Sequence, residues 1–278
     1  MPELPEVETA RAAIERAGLH RRIVEVDDHD TYVCRPHQPG EICEALLGRK
    51  LTETHRQGKS IWCDTSGLDG SDTPGPELAL HLGMSGHIII TRPGADIVDG
   101  GDWLATGRRR TAARSPKNPV WNRFTLTFED GGELRLFDPR RLGRVRLDAD
   151  HEALGPDAER VTLTQFRDRV GRGTAPVKAR LLDQSVVAGV GNLLADETLW
   201  QARISPQRPS GELAPEELAR LRRVLRAVTR RALKRGGVHT GDVIAHRRRG
   251  GRCPRCGAEL QRATVGGRMT FWCPVEQV

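Results

Sequence analysis

The hydrophobic pattern of this chain changes character at about residue 155, and that change limits the folds open to it. Before it, short strand-like runs occur at 23–26, 50–54, 60–64, 78–82, 87–91, 123–128, 133–137 and 144–147. Turn formers such as Gly67-Leu68-Asp69-Gly70 and Asp130-Gly131-Gly132 separate them, which predicts an antiparallel β-sandwich. A helix over about 5–17, with Val7, Ala10 and Ile14 on one face and Gly18 at its end, precedes the strands. After the change, 163–170, 176–183 and 192–202 read as short helices joined by glycines, notably Ala188-Gly189-Val190-Gly191-Asn192. A longer helix opens at Pro215, buries a stripe of Leu218, Leu221, Leu225 and Val228, and stops at Gly236-Gly237. The expectation is an α+β multidomain chain. It has an N-terminal antiparallel β-sandwich with an N-terminal helix over 1–150, a helical domain over 151–240, and a small cysteine-bearing hairpin over 241–278. Residues 92–120, which include Gly107-Arg108-Arg109-Arg110, read as a mobile basic loop inside the first of these.

With 278 residues the chain can bury a sizeable core. Its 37 % hydrophobic and 29 % charged residues point to a soluble protein. No run approaches the ~18 apolar residues of a membrane span, and the acidic start lacks the basic and apolar regions of a signal peptide. Cys34, Cys43 and Cys63 are scattered, as expected of reduced core residues in a cytosolic protein. Charge is uneven. Residues 201–278 hold 17 Lys/Arg against 6 Asp/Glu, more than the whole net charge of +7. Such an asymmetry points to a polyanion, with nucleic acid the leading candidate and a plainly solvated basic face the alternative.

The chain opens Met1-Pro2-Glu3-Leu4-Pro5-Glu6. Excision of Met1 leaves Pro2 with a secondary amine, which titrates near pH ~7.7–8.0 and attacks carbonyl carbons to give an iminium. Glu3 and Glu6 supply carboxylates close by for proton transfer or charge stabilisation. At the other end, Cys253-Pro254-Arg255-Cys256-Gly257 is a turn that points two thiolates at one metal. Cys273-Pro274 resembles the second half of a zinc ribbon, but the position of a fourth cysteine holds Glu276. A carboxylate ligates zinc through oxygen, so the expected set is Cys253, Cys256 and Cys273, with Glu276 the doubtful fourth. A metal-free hairpin is the alternative.

These pieces together resemble the formamidopyrimidine-DNA glycosylase/endonuclease VIII family across nearly the whole chain. The similarity is carried by Pro2-Glu3-Leu4-Pro5-Glu6-Val7-Glu8-Thr9, Gly58-Lys59, His81-Leu82-Gly83-Met84-Ser85-Gly86 and Asp138-Pro139-Arg140-Arg141-Leu142-Gly143. It continues through Leu154-Gly155-Pro156, Gly189-Val190-Gly191-Asn192 with Ala195-Asp196-Glu197, and Gly267-Arg268-Met269-Thr270 before Cys273-Pro274. The last two match the family's helix–two-turn–helix signature and its zinc-finger hairpin.

The resemblance implies an enzyme that flips a damaged nucleotide out of duplex DNA and acts as both DNA glycosylase and abasic-site lyase in base excision repair. By that mapping Pro2 is the nucleophile, Glu3 protonates the sugar ring oxygen or shuttles protons, Glu6 supports the site, and Lys59 binds a phosphate beside the lesion. Met84, Arg140 and Leu142 match the residues that fill the vacated stack, with Leu142 where many relatives carry an aromatic ring. Asn192 and Arg268 match phosphate-gripping residues, and the helix starting at Asn192 offers N–H groups to an anion. Lys178 corresponds to a DNA-contacting lysine, with a plain surface lysine as the alternative. Damaged double-stranded DNA is the implied partner, zinc the implied structural ion, and a monomer in the bacterial cytosol the implied state. Only 15 residues, 238–252, separate Gly237 from Cys253. That is short for the loop that caps an oxidised purine in this family, and it implies a preference for oxidised pyrimidines, ring-opened purines or abasic sites over 8-oxoguanine. Two other classes fit parts of the sequence. A damage-binding protein with little turnover is compatible with Glu276 and the Arg-rich insertion, and an RNA-associated zinc-ribbon protein fits the charge but leaves Pro2, Glu3 and Lys59 without a role.

Overall fold

The computed structural model describes residues 2–68, 71, 73–101 and 119–278. Met1 and the Gly107–Arg110 run lie outside the described residues, and with them most of the expected basic loop. The chain divides into two units, Met1–Pro2 with Glu6–His151 and Glu3–Pro5 with Glu152–Val278.

In the first unit, helix α1 (Leu4–Ala17) is followed by β1 (Ile23–Asp27), a short α2 (Glu41–Leu46), β2 (Leu51–Gln57), β3 (Ser60–Thr65) and β4 (Leu78–His81). Strands β5 (His87–Ile90), β6 (Val98–Gly101), β7 (Asn122–Phe128), β8 (Glu133–Phe137) and β9 (Arg144–Leu147) complete it. They form a five-stranded sheet in the order β1-β7-β8-β5-β6 and a four-stranded sheet in the order β2-β3-β4-β9, and every pairing is antiparallel. The inward residues of both sheets, among them Ile61, Leu80, Ile88, Phe124, Leu126 and Leu136, share one core with Val7, Ala10 and Ile14 of α1. That is the expected sandwich with its helix. In β3 and β7 burial alternates residue by residue, as the period of a half-buried strand requires.

Two elements were absent from the sequence reading. Strand β6 carries Gly100 and Gly101, poor strand formers, because a Cβ on Gly100 would lie 2.3 Å from the carbonyl oxygen of Thr9. Helix α2 is capped from a distance, since Asp28 accepts the N–H groups of Gly40, Ile42 and Cys43.

The second unit holds α3 (Leu163–Val170), α4 (Val177–Leu182), α5 (Asn192–Ala202), α6 (Pro215–Arg235) and the hairpin β10 (Gln261–Val265)–β11 (Arg268–Trp272). Helix α6 buries Leu218, Leu221, Leu225, Val228, Thr229 and Ala232 and ends at a left-handed Gly236, as its stripe and its glycine predicted. The hairpin turns at Gly266 and Gly267, both at positive φ, the geometry that a two-residue loop favours. A small separate core of Trp200, Val243, Leu260, Cys253 and Cys273 underlies it.

Candidate active site and metal centre

Pro2 is buried and lies in the first unit with Glu6, which is 1 % exposed, and Lys59. Lys59 and Gly58 form the two-residue turn between β2 and β3, whose last partners are Gln57 and Ser60. Gly58 is at φ 60°, a conformation a side chain would strain. The hairpin is tied to α1, because the almost fully buried Arg56 donates to Glu8 at 2.7 Å, and Glu8 also receives Arg11. The helix that follows Pro2 is thus clamped to the strand pair that carries Lys59.

His81, the first residue of the His81–Gly86 motif, joins this group. It pairs in register with Ser60, the residue after Lys59. Its Nδ1 accepts the N–H of Gly83 at 3.0 Å. Burial, reinforced by the charges of Lys59, Arg144 and Arg146, lowers its pKa to about 4. His81 is therefore a neutral imidazole at neutral pH, with Nε2 as its protonated nitrogen. Only the strand register revealed it, since a histidine at a strand end carries no distinguishing pattern.

Met84, Arg140 and Leu142 are brought together on two loops by one buried carboxylate. Asp138, fully buried, accepts Ser85 Oγ at 2.6 Å and the Arg140 N–H on Oδ1, and the N–H groups of Leu142 and Gly143 on Oδ2. Gly83 brings the loops into contact, because a Cβ there would lie 2.4 Å from the carbonyl carbon of Leu142. Met84 is 38 % exposed and Arg140 is exposed, so their side chains are available outward.

In the second unit the first turn of α5 is already occupied by an anion of the chain itself. Glu3, fully buried, accepts the N–H of Leu193 on Oε1 at 2.8 Å, and those of Gly191 and Leu194 on Oε2 at 3.1 and 2.9 Å. A carboxylate there is favoured by the helix dipole and by the unpaired amides. The anion expected at the start of this helix is thus one the chain itself supplies at these three amides. Gly191 leaves the room, since a Cβ would fall 2.3 Å from the Glu3 carboxyl carbon.

Lys178 is not a surface lysine. It is fully buried, and its ammonium donates to Asn192 Oδ1 at 2.7 Å and Thr270 Oγ1 at 2.6 Å and lies 2.6 Å from Asp196. Burial lowers its pKa against the opposing pull of Asp196. Asp196 also receives Arg247 at 2.7 Å and the Phe271 N–H. Asn192 in turn donates to the Met269 carbonyl. Asn192, Lys178 and the hairpin are therefore one polar network, and Arg268 stands exposed at its end as the first residue of β11.

Cys253, Cys256 and Cys273 bring their sulfurs within 4.8 Å of one another. The Trp200 indole N–H and the Glu276 backbone N–H point at the Cys253 and Cys273 sulfurs, donors of the kind that surround metal-bound thiolates. Three clustered thiols on a two-turn scaffold fit a zinc ion. The Glu276 carboxylate is not part of that cluster among the described residues. Its buried Oε2 lies 3.4 Å from Arg203 Nε, an ion pair rather than a hydrogen bond.

Comparison with known proteins places these features in one framework. Residues 1–145 match the family model of the formamidopyrimidine-DNA glycosylase N-terminal domain, 153–243 that of the H2TH domain of the same enzymes, and 250–275 that of a zinc finger found in FPG and IleRS. The formamidopyrimidine-DNA glycosylase of Herpetosiphon aurantiacus is 32 % identical with both chains covered in full. That of Arabidopsis thaliana is 31 % identical, covering 99 % of this chain and 70 % of its own. The structure resembles that of the Lactococcus lactis Fpg in complex with abasic-site DNA at a TM-score of 0.77, with 26 % identity over 99 % of each chain. It resembles MutM in complex with carbocyclic 8-oxo-G containing DNA at 0.79, with the same identity and coverage.

Proposed function

The chain belongs to the formamidopyrimidine-DNA glycosylase family, and from that membership we propose how its own residues act on DNA. It is a DNA glycosylase of base excision repair with abasic-site lyase activity, acting on damaged DNA. Pro2, freed of Met1, attacks C1′ of the flipped nucleotide through its nitrogen. The bond from C1′ to the base breaks with its electron pair going to the base. Opening of the sugar ring leaves an iminium between Pro2 and C1′. The iminium acidifies the C2′ proton, whose loss expels the 3′ phosphate. A second elimination expels the 5′ phosphate, and water releases Pro2. Glu3 follows Pro2 in the chain and accepts three amides, an arrangement suited to stabilising the cationic iminium and relaying protons to the ring oxygen. Lys59, with neutral His81 beside it in register, binds a phosphate next to the lesion, and Glu6 supports the N-terminus. Met84, Arg140 and Leu142 fill the vacated stack, while Asn192 and Arg268 grip backbone phosphates. Lys178 acts from beneath, holding Asn192 and the hairpin in place.

On this reading residues 1–150 are the catalytic part, 151–240 the helical DNA-binding part and 241–278 the finger. Zinc, a structural ion of this finger, is held by Cys253, Cys256 and Cys273. Glu276, whose carboxylate pairs with Arg203, lies outside the thiol cluster, so the three cysteines are the donors this chain offers. The stretch 238–252 supports a preference for oxidised pyrimidines, ring-opened purines and abasic sites over 8-oxoguanine. It contains two single 3-10 turns, Val238–Thr240 and Ile244–His246, tied down by Asp242 to Arg231 and by Arg247 to Asp196. No helix among the described residues is long and apolar enough to cross a membrane, and we place the enzyme in the cytosol with its DNA.

The observation that carries the reading is the buried Pro2 followed by a carboxylate fixed by three amides. Borohydride trapping on abasic-site DNA tests it. Methionine-free protein yields a covalent adduct, and a chain extended at its N-terminus yields none. DNA binding without an adduct from the methionine-free protein makes it a damage-binding protein instead.

A further inference from the structure

The chain has one tyrosine, and it stands 44 % exposed between β1 and α2. Three guanidinium groups surround the Tyr32 ring: Arg35 at 4.0 Å from its centroid, Arg144 at 4.9 Å and Arg141 at 5.9 Å. The neighbouring Arg35 and Arg144 lower the pKa of its phenol. The exposed phenol offers its O–H as a donor. One carboxylate serves the group. Asp30 takes Arg141 in a two-pronged pair at 2.9 and 2.8 Å, lies 3.7 Å from Arg123, and accepts the N–H groups of Tyr32 and Val33. No ion pair joins Arg35 or Arg144 to a carboxylate among the described residues.

The cluster is anchored to the loop that fills the stack. Arg141 sits between Arg140 and Leu142, and its pair with Asp30 binds that loop to the Tyr32 segment. The Val145 N–H donates to the Val33 carbonyl at 3.0 Å, fixing β9 to the same segment.

We propose that Tyr32, Arg35 and Arg144 form a binding surface for a backbone phosphate of the duplex, beside the loop of Arg140 and Leu142. The proposal rests on the DNA-glycosylase reading and adds a contact to it. Two unneutralised guanidinium forks and one phenol O–H match the donors that phosphate oxygens accept. Such contacts set register on the duplex without reading sequence. The surface holds the duplex while Arg140 and Leu142 enter it.

The salt dependence of binding to a duplex carrying a reduced abasic site tests this. Each phosphate contact contributes about 0.9 to the slope of log affinity against log salt. An Arg35→Gln/Arg144→Gln protein is expected to lose about 0.9 of that slope and bind several-fold more weakly near physiological salt. Tyr32→Phe keeps the ring and every charge, and is expected to weaken binding a few-fold with the slope retained. An Arg16→Gln/Arg22→Gln protein removes the same charge elsewhere and is expected to keep the parent slope. A parent slope and affinity in Arg35→Gln/Arg144→Gln, or an equal loss of slope in Arg16→Gln/Arg22→Gln, overturns the proposal. If the parent chain itself shows no salt-dependent duplex binding, it is the DNA-glycosylase reading that fails.

Discussion

At the scale of single residues, Asp138 shows how one buried carboxylate arranges a working surface. Its oxygens serve three backbone N–H groups and the Ser85 hydroxyl. Asp138→Asn turns an acceptor into a donor that faces donors. It is expected to cost about 1–3 kcal/mol in denaturant unfolding and to slow base release more than it weakens the trapping of a preformed abasic site. His81 makes a pH prediction. Its folded pKa of about 4 lies below its ordinary 6.5, so the unfolded chain takes up the proton first as pH falls. Stability is therefore full above about pH 6.5 and is lost towards pH 4, by up to about 1.4 kcal/mol per pH unit. The pH-dependence of unfolding in His81→Gln should be flatter over that window; a curve parallel to the parent's would refute the assignment. Pro2, Glu3 and Lys59 were singled out from residue type and position, and their roles are part of the proposed function. His81 and Asp138 were not singled out, because their roles come from register and from amides supplied by other loops.

At the scale of elements, the eight strands named from the sequence are all present, and β2 runs on to Gln57 to meet the Gly58-Lys59 turn. Alternation and punctuation carry that information locally. Strand β6 and helix α2 escaped because their support is distant: the glycines of β6 answer to α1, and the cap of α2 is Asp28. Helix α5 and the anion at its start were read from the sequence, but nothing near Asn192 shows that the anion is Glu3. The variant Gly191→Ala tests that junction. Its Cβ would overlap the Glu3 carboxyl, so loss of the cap is expected to cost about 1–2 kcal/mol in thermal unfolding. Borohydride trapping should fall at least tenfold, and retention of the parent trapping rate would remove Glu3 from the mechanism. Lys178 tests the network beneath Asn192. Lys178→Met leaves Asp196 with Arg247 and the Phe271 N–H and is expected to destabilise the second unit by about 3–5 kcal/mol, read by hydrogen exchange at α5 and β11.

At the scale of the whole molecule, the buried apolar residues fall into three clusters, and the third is small and contains two of the three cysteines. A core of that size needs the ion to be stable. Chelation of zinc is therefore expected to unfold the finger and abolish duplex binding, while the unfolding midpoint of the sandwich core stays where it was; a simultaneous collapse of both would show that the finger is no separate cooperative element. The Glu3 cap also has a consequence in time. The N-terminal amine leaves the ribosome first, but the amides that hold its neighbouring carboxylate lie up to 191 positions later. At about 5–20 residues per second they follow after roughly 10–40 s. On the proposed roles of Pro2 and Glu3, a nascent or truncated chain that ends before Gly191 has the amine without its fixed carboxylate, so the capacity to cut DNA would be acquired only by a chain that has been translated through its second unit.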